Sequence, residues 1–236
     1  MKRIRNIMLV ICLLVTALSS TALAYENGSE NVNSVEVSEK LIEICKNFFE
    51  TSNGMYRAVN KMGEDITEEF YNRYKAVYDK QEYEVIGEAI ADELNYIRWM
   101  DNEESIVENS MARTSVLSKT VKQEFYKLGR TNKLFNGKKT FDMVFSIAGT
   151  FRYIDSTGAI QSYNTPVFNL EYFGAGAAFS YQLENVSTNA SKKASNRVDF
   201  SASYYIKISG YSDGVYLGYE TVGPYSGTVS GYGEVV

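Results

Sequence analysis

From Asp142 onward the chain carries eight carboxylates: Asp142, Asp155, Glu171, Glu184, Asp199, Asp213, Glu220 and Glu234. A glycosidase needs only two such groups, one to protonate the leaving oxygen and one to act as base or nucleophile, and no histidine. Asp142, Glu171 and Asp199 fall on outward positions of strand-like segments, where they could be neighbours. The same three positions also fit a solvated sheet face. Asp155 and Asp213 stand in turn sequences, where aspartate is favoured for backbone reasons. No histidine occurs anywhere. That removes the commonest general base, most zinc sites and every Ser-His or Cys-His machine. Ser118-Lys119 and Ser191-Lys192 offer dyads on paper, with nothing in the sequence to mark either as buried. Gly174-Ala175-Gly176 lacks the lysine and the helix of a phosphate loop, and no D-x-D-x-D-G calcium loop is present. Neither a metal nor an organic cofactor is expected.

Two surfaces could bind without catalysing. The tyrosines Tyr205, Tyr211, Tyr216, Tyr219, Tyr225 and Tyr232 are read as outward-facing. Exposed rings on a sheet suit sugars or partner proteins, because each offers flat apolar area with a polar tip. Core and edge packing would account for the same residues. The basic residues Lys122, Lys127, Arg130, Lys133, Lys138 and Lys139 cluster with a single acid, Glu124, among them. They could meet an anionic polymer, or pair with the acidic first half of the chain. Nucleic acid is not expected as a partner of an acidic, exported chain.

Export is read from residues 1–24: Lys2, Arg3 and Arg5, an apolar run from Ile7 to Leu18, then Ala22-Leu23-Ala24. This is the pattern of a secretory signal peptide, and no other segment is apolar enough to span a bilayer as a helix. Cleavage would remove Cys12, leaving Cys45 on the apolar side of a helical pattern with no partner for a disulfide. It would also take the net charge from −5 to −8. The remaining charge is uneven. Residues 25–112 carry 20 acidic and 8 basic side chains, whereas residues 113–236 carry 9 and 13. That contrast predicts two domains of opposite sign.

The elements that must position these groups follow from periodicity. From Phe141 to Tyr153 every odd position is apolar or glycine (Phe141, Met143, Phe145, Ile147, Gly149, Phe151, Tyr153), against Asp142, Val144, Ser146, Ala148, Thr150 and Arg152. A period of two predicts a strand with one buried and one wet face. Each buried large side chain there contributes about 1.5–3 kcal/mol. Before it, Leu41, Ile44/Cys45 and Phe48/Phe49 predict a helix, and Met55, Val59 and Met62 a short second one. Asp65 with Glu68 resembles a capping box opening a third helix through Phe70, Tyr74 and Tyr78. A fourth is read from Tyr83, Ile86, Ile90, Leu94 and Ile97. Residues 116–128 fit either a helix or a strand. After the central strand come a hairpin at 155–158, an edge arm through Pro166, a Ser/Asn/Lys loop at 185–196, and a strand alternating from Val198 to Ile208. Asp213-Gly214 makes a tight turn, and two last strands, Val215 to Val222 and about Ser226 to Val235, are separated by Gly223-Pro224.

In layout the chain resembles a set of uncharacterised secreted proteins of low-GC Gram-positive bacteria. The likeness rests on Arg113, Ser115, Ser118 and Lys119, on Gly149 to Tyr153, and on the glycine-rich patch between Phe173 and Phe179. It favours a strand over 118–127. The segment Phe48 to Glu50 with its aromatic helices looks like leader domains of some secreted amidase-type proteins, whose downstream catalytic Cys and His are missing here. No catalytic residue is carried over.

The expected architecture is α+β: a signal peptide (1–24), a flexible segment (25–37), a small acidic helical domain (38–100), a linker (101–115) and a mainly antiparallel β-sandwich (116–236). The expected function is that of a secreted, non-catalytic binding protein at the bacterial cell envelope. Its partner would be a cell-wall polymer, a glycan or a protein. A carboxylate-dependent hydrolase and a membrane-active β protein are the alternatives. Against the latter, no long Gly/Ser/Thr-rich hairpin of matched arms is evident in the sequence.

Overall fold

A computed structural model describes residues 37–51, 55–99, 105–109, 115–131, 133–134, 139–174 and 179–235. The expected signal peptide and residues 25–36 lie outside the described residues, as does Lys138. Along the chain the elements are α1 (Glu39–Glu50), β1 (Tyr56–Asn60), α2 (Thr67–Asp79), α3 (Tyr83–Glu93), β2 (Leu94–Trp99), β3 (Ser105–Asn109), β4 (Val116–Arg130) and β5 (Thr140–Ile154). They continue with β6 (Ile160–Tyr163), β7 (Val167–Gly174), β8 (Phe179–Ala194), β9 (Arg197–Ser212) and β10 (Val215–Tyr232). The fold class is α+β, with the helices in the N-terminal part and strands dominating the rest.

Every strand pairing is antiparallel. A seven-stranded sheet runs β1-β2-β4-β5-β6, with β3 also on β4 and β7 also on β5; a three-stranded sheet runs β10-β9-β8. The odd residues of β5 fill the space between the sheets as the period of two predicts. Phe145, Ile147 and Phe151 meet Phe200, Tyr204 and Ile206 there, all fully buried. At Gly149 a Cβ would collide with the Phe200 ring, so the absent side chain sets how closely the sheets approach. The second core lies on the other face of the larger sheet. Leu41, Ile44 and Phe48 of α1, Phe70 of α2 and Ile86 and Ile90 of α3 cover Ile97, Tyr126, Leu128 and Val144. The described residues are thus built in three layers, helices, sheet and sheet, with an apolar core on either side of the middle one.

This layering revises several expectations. The even face of β5 is wet only toward its end: Asp142 and Val144 are buried under the helix layer, Ser146 is buried with its hydroxyl on Glu171 of β7, and Arg152 is exposed. The predicted second helix is instead β1, and the fourth ends at Glu93, its tail becoming β2. Since β2 pairs with β4, the segments read as separate helical and sandwich domains share one sheet within a compact unit, Val35–Val236. Part of the expected linker, 105–109, is β3. Residues 116–128 are strand, as the resemblance favoured. The predicted loop at 185–196 is mostly β8, and only Ser195-Asn196 turn the chain into β9. Two 16-residue strands therefore form a hairpin of matched arms that the Ser/Asn-rich composition concealed. β8 is an edge strand whose register slips at Glu184/Ser187, where Asn185 has φ 52°, and again at Lys192/Ala194.

Candidate functional site

The six tyrosines do not act together. Tyr205, Tyr211, Tyr216 and Tyr219 share the outer face of the three-stranded sheet near the β9–β10 turn, Tyr216 being 53% exposed and Tyr219 60%. Tyr216 and Tyr219 are of opposite parity, and a regular strand would point them to opposite faces. A bulge at Leu217 inserts one residue, since Tyr216 pairs with Tyr211 and Gly218 with Gly210, and both rings come to one side. Tyr211 and Tyr216 rings lie 5.6 Å apart, and Lys207 Nζ sits 4.2 Å from the Tyr219 centroid. Leu217 at the bulge and Val215 are exposed as well, Val215 on the face opposite Tyr216.

The other two differ. Tyr232 is exposed at the far end of the same strands, under Arg197 at 5.7 Å. Tyr225 is buried at 9% exposure and packs on Tyr204 and Phe141, so it is not part of an outer surface. A second bulge explains this: Val222 pairs with Ile206 but Tyr225 with Tyr204, so parity reverses across Gly223-Pro224.

The basic residues are dispersed. Lys127 is buried, donating to the carbonyl oxygen of Asn95 at 2.5 Å, and burial pushes its pKa down to about 8 with Lys61 adding to the effect. It therefore does not belong to an anion-binding surface. Lys122 pairs with Glu124 at 3.0 Å; Arg130 pairs with Glu88 and with Asp92 at 3.1 Å, both on α3. Lys133 and Lys139 are exposed.

Nor do the three outward carboxylates assemble. Asp142, 2% exposed, accepts a hydrogen bond from Ser38 Oγ at 2.5 Å, and burial raises its pKa. The expectation that it is solvated fails because α1 covers it. Glu171, on the neighbouring β7, takes Ser146 Oγ at 2.7 Å, whereas Asp199 is on the other sheet, bound to Arg197 at 2.8 Å. Glu220 is buried and accepts the backbone N–H of Lys133 at 2.8 Å; Glu234 pairs with the buried Lys119 at 2.9 Å. Ser118 and Lys119 project to opposite faces of β4, as successive strand residues must, so they make no dyad. Burial pushes the Cys45 thiol up to about 12, which leaves it a packing residue. Among the described residues no three His, Cys, Asp or Glu side chains are grouped to hold a metal, and no helix is long and apolar enough to cross a membrane.

One concavity was missed by the sequence reading. A groove of about 1000 Å³ lies between the end of α1, the start of β1 and the first turns of α2. Phe48, Phe49 and Tyr71 wall it, the Phe49 and Tyr71 rings 5.6 Å apart, and Glu50, Asp65, Glu68 and Glu69 border it along with Arg57. The only local signal was the consecutive Phe48-Phe49 pair, wider than one buried stripe needs. No protein-family model, curated protein or solved structure matches this chain.

Proposed function

We propose that this is an exported, non-catalytic binding protein whose contact surface is the tyrosine-bearing end of the β9–β10 hairpin. The observation that carries the reading is the pair Tyr216 and Tyr219, brought to one face by the Leu217 bulge and left exposed beside Lys207. Burying an apolar ring stabilises a complex, and contiguous exposed apolar area on a sheet marks contact surfaces more often than chance. The leader-like residues 1–24 and the resemblance to secreted bacterial proteins support placing that contact at the cell envelope. A cell-wall glycan is the favoured partner, since rings stack on sugars and the surrounding Ser209, Thr221 and Gln182 supply hydroxyl and amide groups on the same face.

Retention of the purified protein on isolated bacterial cell walls tests this. Tyr216→Ser with Tyr219→Ser should reduce retention about ten-fold or more, at about 1–2 kcal/mol per anchoring ring, with an unchanged circular dichroism spectrum. Absence of wild-type retention, or equal retention by the variant, overturns the reading.

A second reading, insertion of the β8–β9 hairpin into a bilayer, is favoured by its arm length. Each arm has 16 residues, beyond the about 9–11 that a spanning strand needs. Along β9, Phe200, Tyr204 and Ile206 alternate with Ser201, Ser203 and Lys207. Dye release from liposomes would support it, and intact liposomes at micromolar protein would retire it.

A further inference from the structure

The helices cover one face of the larger sheet and the three-stranded sheet covers the other, so the groove on the helix layer is a separate place from the tyrosine surface. Its floor is aromatic and its sides polar: the largely buried Phe48 and Phe49 meet edge to face at 5.0 Å beneath it, and the half-buried Tyr71 closes one side. Its border is acidic for two independent reasons. Four carboxylates stand there against one guanidinium. The groove also receives the C-terminal end of α1, whose last turn holds Glu50 and no basic residue, so the negative end of the helix dipole goes uncompensated by a side-chain cation.

Three of the four carboxylates already have partners. Glu50 accepts from the Tyr78 hydroxyl, Asp65 from Thr67 N at 3.0 Å with Arg57 3.4 Å away, and Glu69 pairs with Arg73. Glu68, exposed on the first turn of α2, makes no hydrogen bond or ion pair with any described residue. The described surface therefore combines an aromatic trough with a net negative border and one acid free to take a cation. Its volume is at the top of the range in which ligand clefts fall, about 300–1,000 Å³. That is too large for a bare metal ion or simple ammonium to fill.

We infer that this groove binds a short cationic peptide segment, its apolar side chains against Phe48, Phe49 and Tyr71 and its lysine or arginine charge beside Glu68. Charge complementarity sets the sign of the occupant, and the aromatic floor with Tyr71 at its side accommodates an apolar side chain beside the charge.

The chain supplies its own reporter. Its single tryptophan, Trp99, packs on Tyr56, which lines the groove, with ring centroids 5.6 Å apart. Trp99 fluorescence is followed while the whole protein is titrated with acetylated, amidated Lys-Leu-Lys-Leu-Lys, and in parallel with the Glu-Leu-Glu-Leu-Glu counterpart. The lysine peptide should bind saturably and more weakly as salt is raised. Glu68→Lys, a change at an exposed and unpartnered position, should weaken it about five-fold or more, and the glutamate peptide should not bind to wild type. Tyr216→Ser with Tyr219→Ser should leave the titration unchanged, so failure here and failure of the wall-binding reading are distinguishable. No saturable response to the lysine peptide, equal binding of both peptides, or an affinity indifferent to Glu68→Lys would overturn the inference. So would wild-type dimerisation in sedimentation that Glu68→Lys abolishes, because the occupant would then be a second copy.

Discussion

Toward the three-stranded sheet, β5 presents Phe141, Met143, Phe145, Ile147, Phe151 and Tyr153, buried along its whole length. Toward the helices it presents Asp142, Val144 and Ser146 under cover, then Ala148, Thr150 and Arg152 increasingly open. The two faces of one strand are thus finished differently. The inter-sheet face is held by continuous apolar contact, whereas the helix layer is held at one end by a polar tie from Ser38 to Asp142. Apolar contact is non-directional and tolerates small shifts; a hydrogen bond to a buried carboxylate fixes one geometry and depends on protonation. The helix layer should therefore respond in the acid range, where Asp142 titrates, whereas on the inter-sheet side the buried Lys127 titrates only at about 8.

The sharpest way to break this contrast is Phe145→Ala. Phe145 is fully buried, stacked on Phe125 at 4.9 Å and edge-on to Tyr204 at 5.2 Å. Its truncation should cost about 3–5 kcal/mol in urea unfolding, with no dependence on pH. A loss below about 1 kcal/mol would place this residue outside a tight core. Ser38→Ala should cost less, about 1–2 kcal/mol. It removes both the cap that accepts Leu41 N at 2.9 Å and the donor to Asp142.

The smallest and most specific test is Asp142→Asn. Burial holds the folded-state pKa of Asp142 above its ordinary value, so the folded chain keeps this proton more readily than the unfolded chain. Its contribution favours folding in acid and is lost as pH rises from the ordinary carboxylate value through the raised one. The stability of wild type minus that of Asp142→Asn should accordingly fall with pH across that window and level off above it. Urea midpoints at a series of pH values check this, and a difference that is flat or rises would contradict a desolvated carboxylate.

The same contrast separates what could be read in the sequence from what could not. The odd face of β5 was legible because its apolar residues recur within one continuous segment. Its even face was not, because the cover comes from helices about 50 to 100 residues earlier, and no local pattern reports so distant a neighbour. β1 read as a helix because Met55, Val59 and Met62 happen to fall at four- and three-residue steps. The latter half of the first arm of the long hairpin read as a loop because Ser, Asn and Lys dominate a strand whose burial is slight on both faces. Tyr216, Tyr219 and Tyr232 are exposed as expected, but Tyr225 is not, since one inserted residue near Gly223-Pro224 turns it to the face opposite Tyr219 although both stand at odd positions. The groove draws on three segments that meet only after folding, and Glu50, Glu68 and Glu69 each alone resemble an ordinary solvated helix residue.

The uneven stride of β8 has a consequence for behaviour at high concentration. A long open margin is a mould on which other chains can crystallise into ribbons. Here the mould is cut by the kinks at Asn185 and beyond Lys192 into two short lengths, 179–184 and 187–192, with Lys192 and Lys193 guarding the end. A foreign strand could dock along one length only before falling out of step, so the same slips that bend the hairpin also discourage fibre growth.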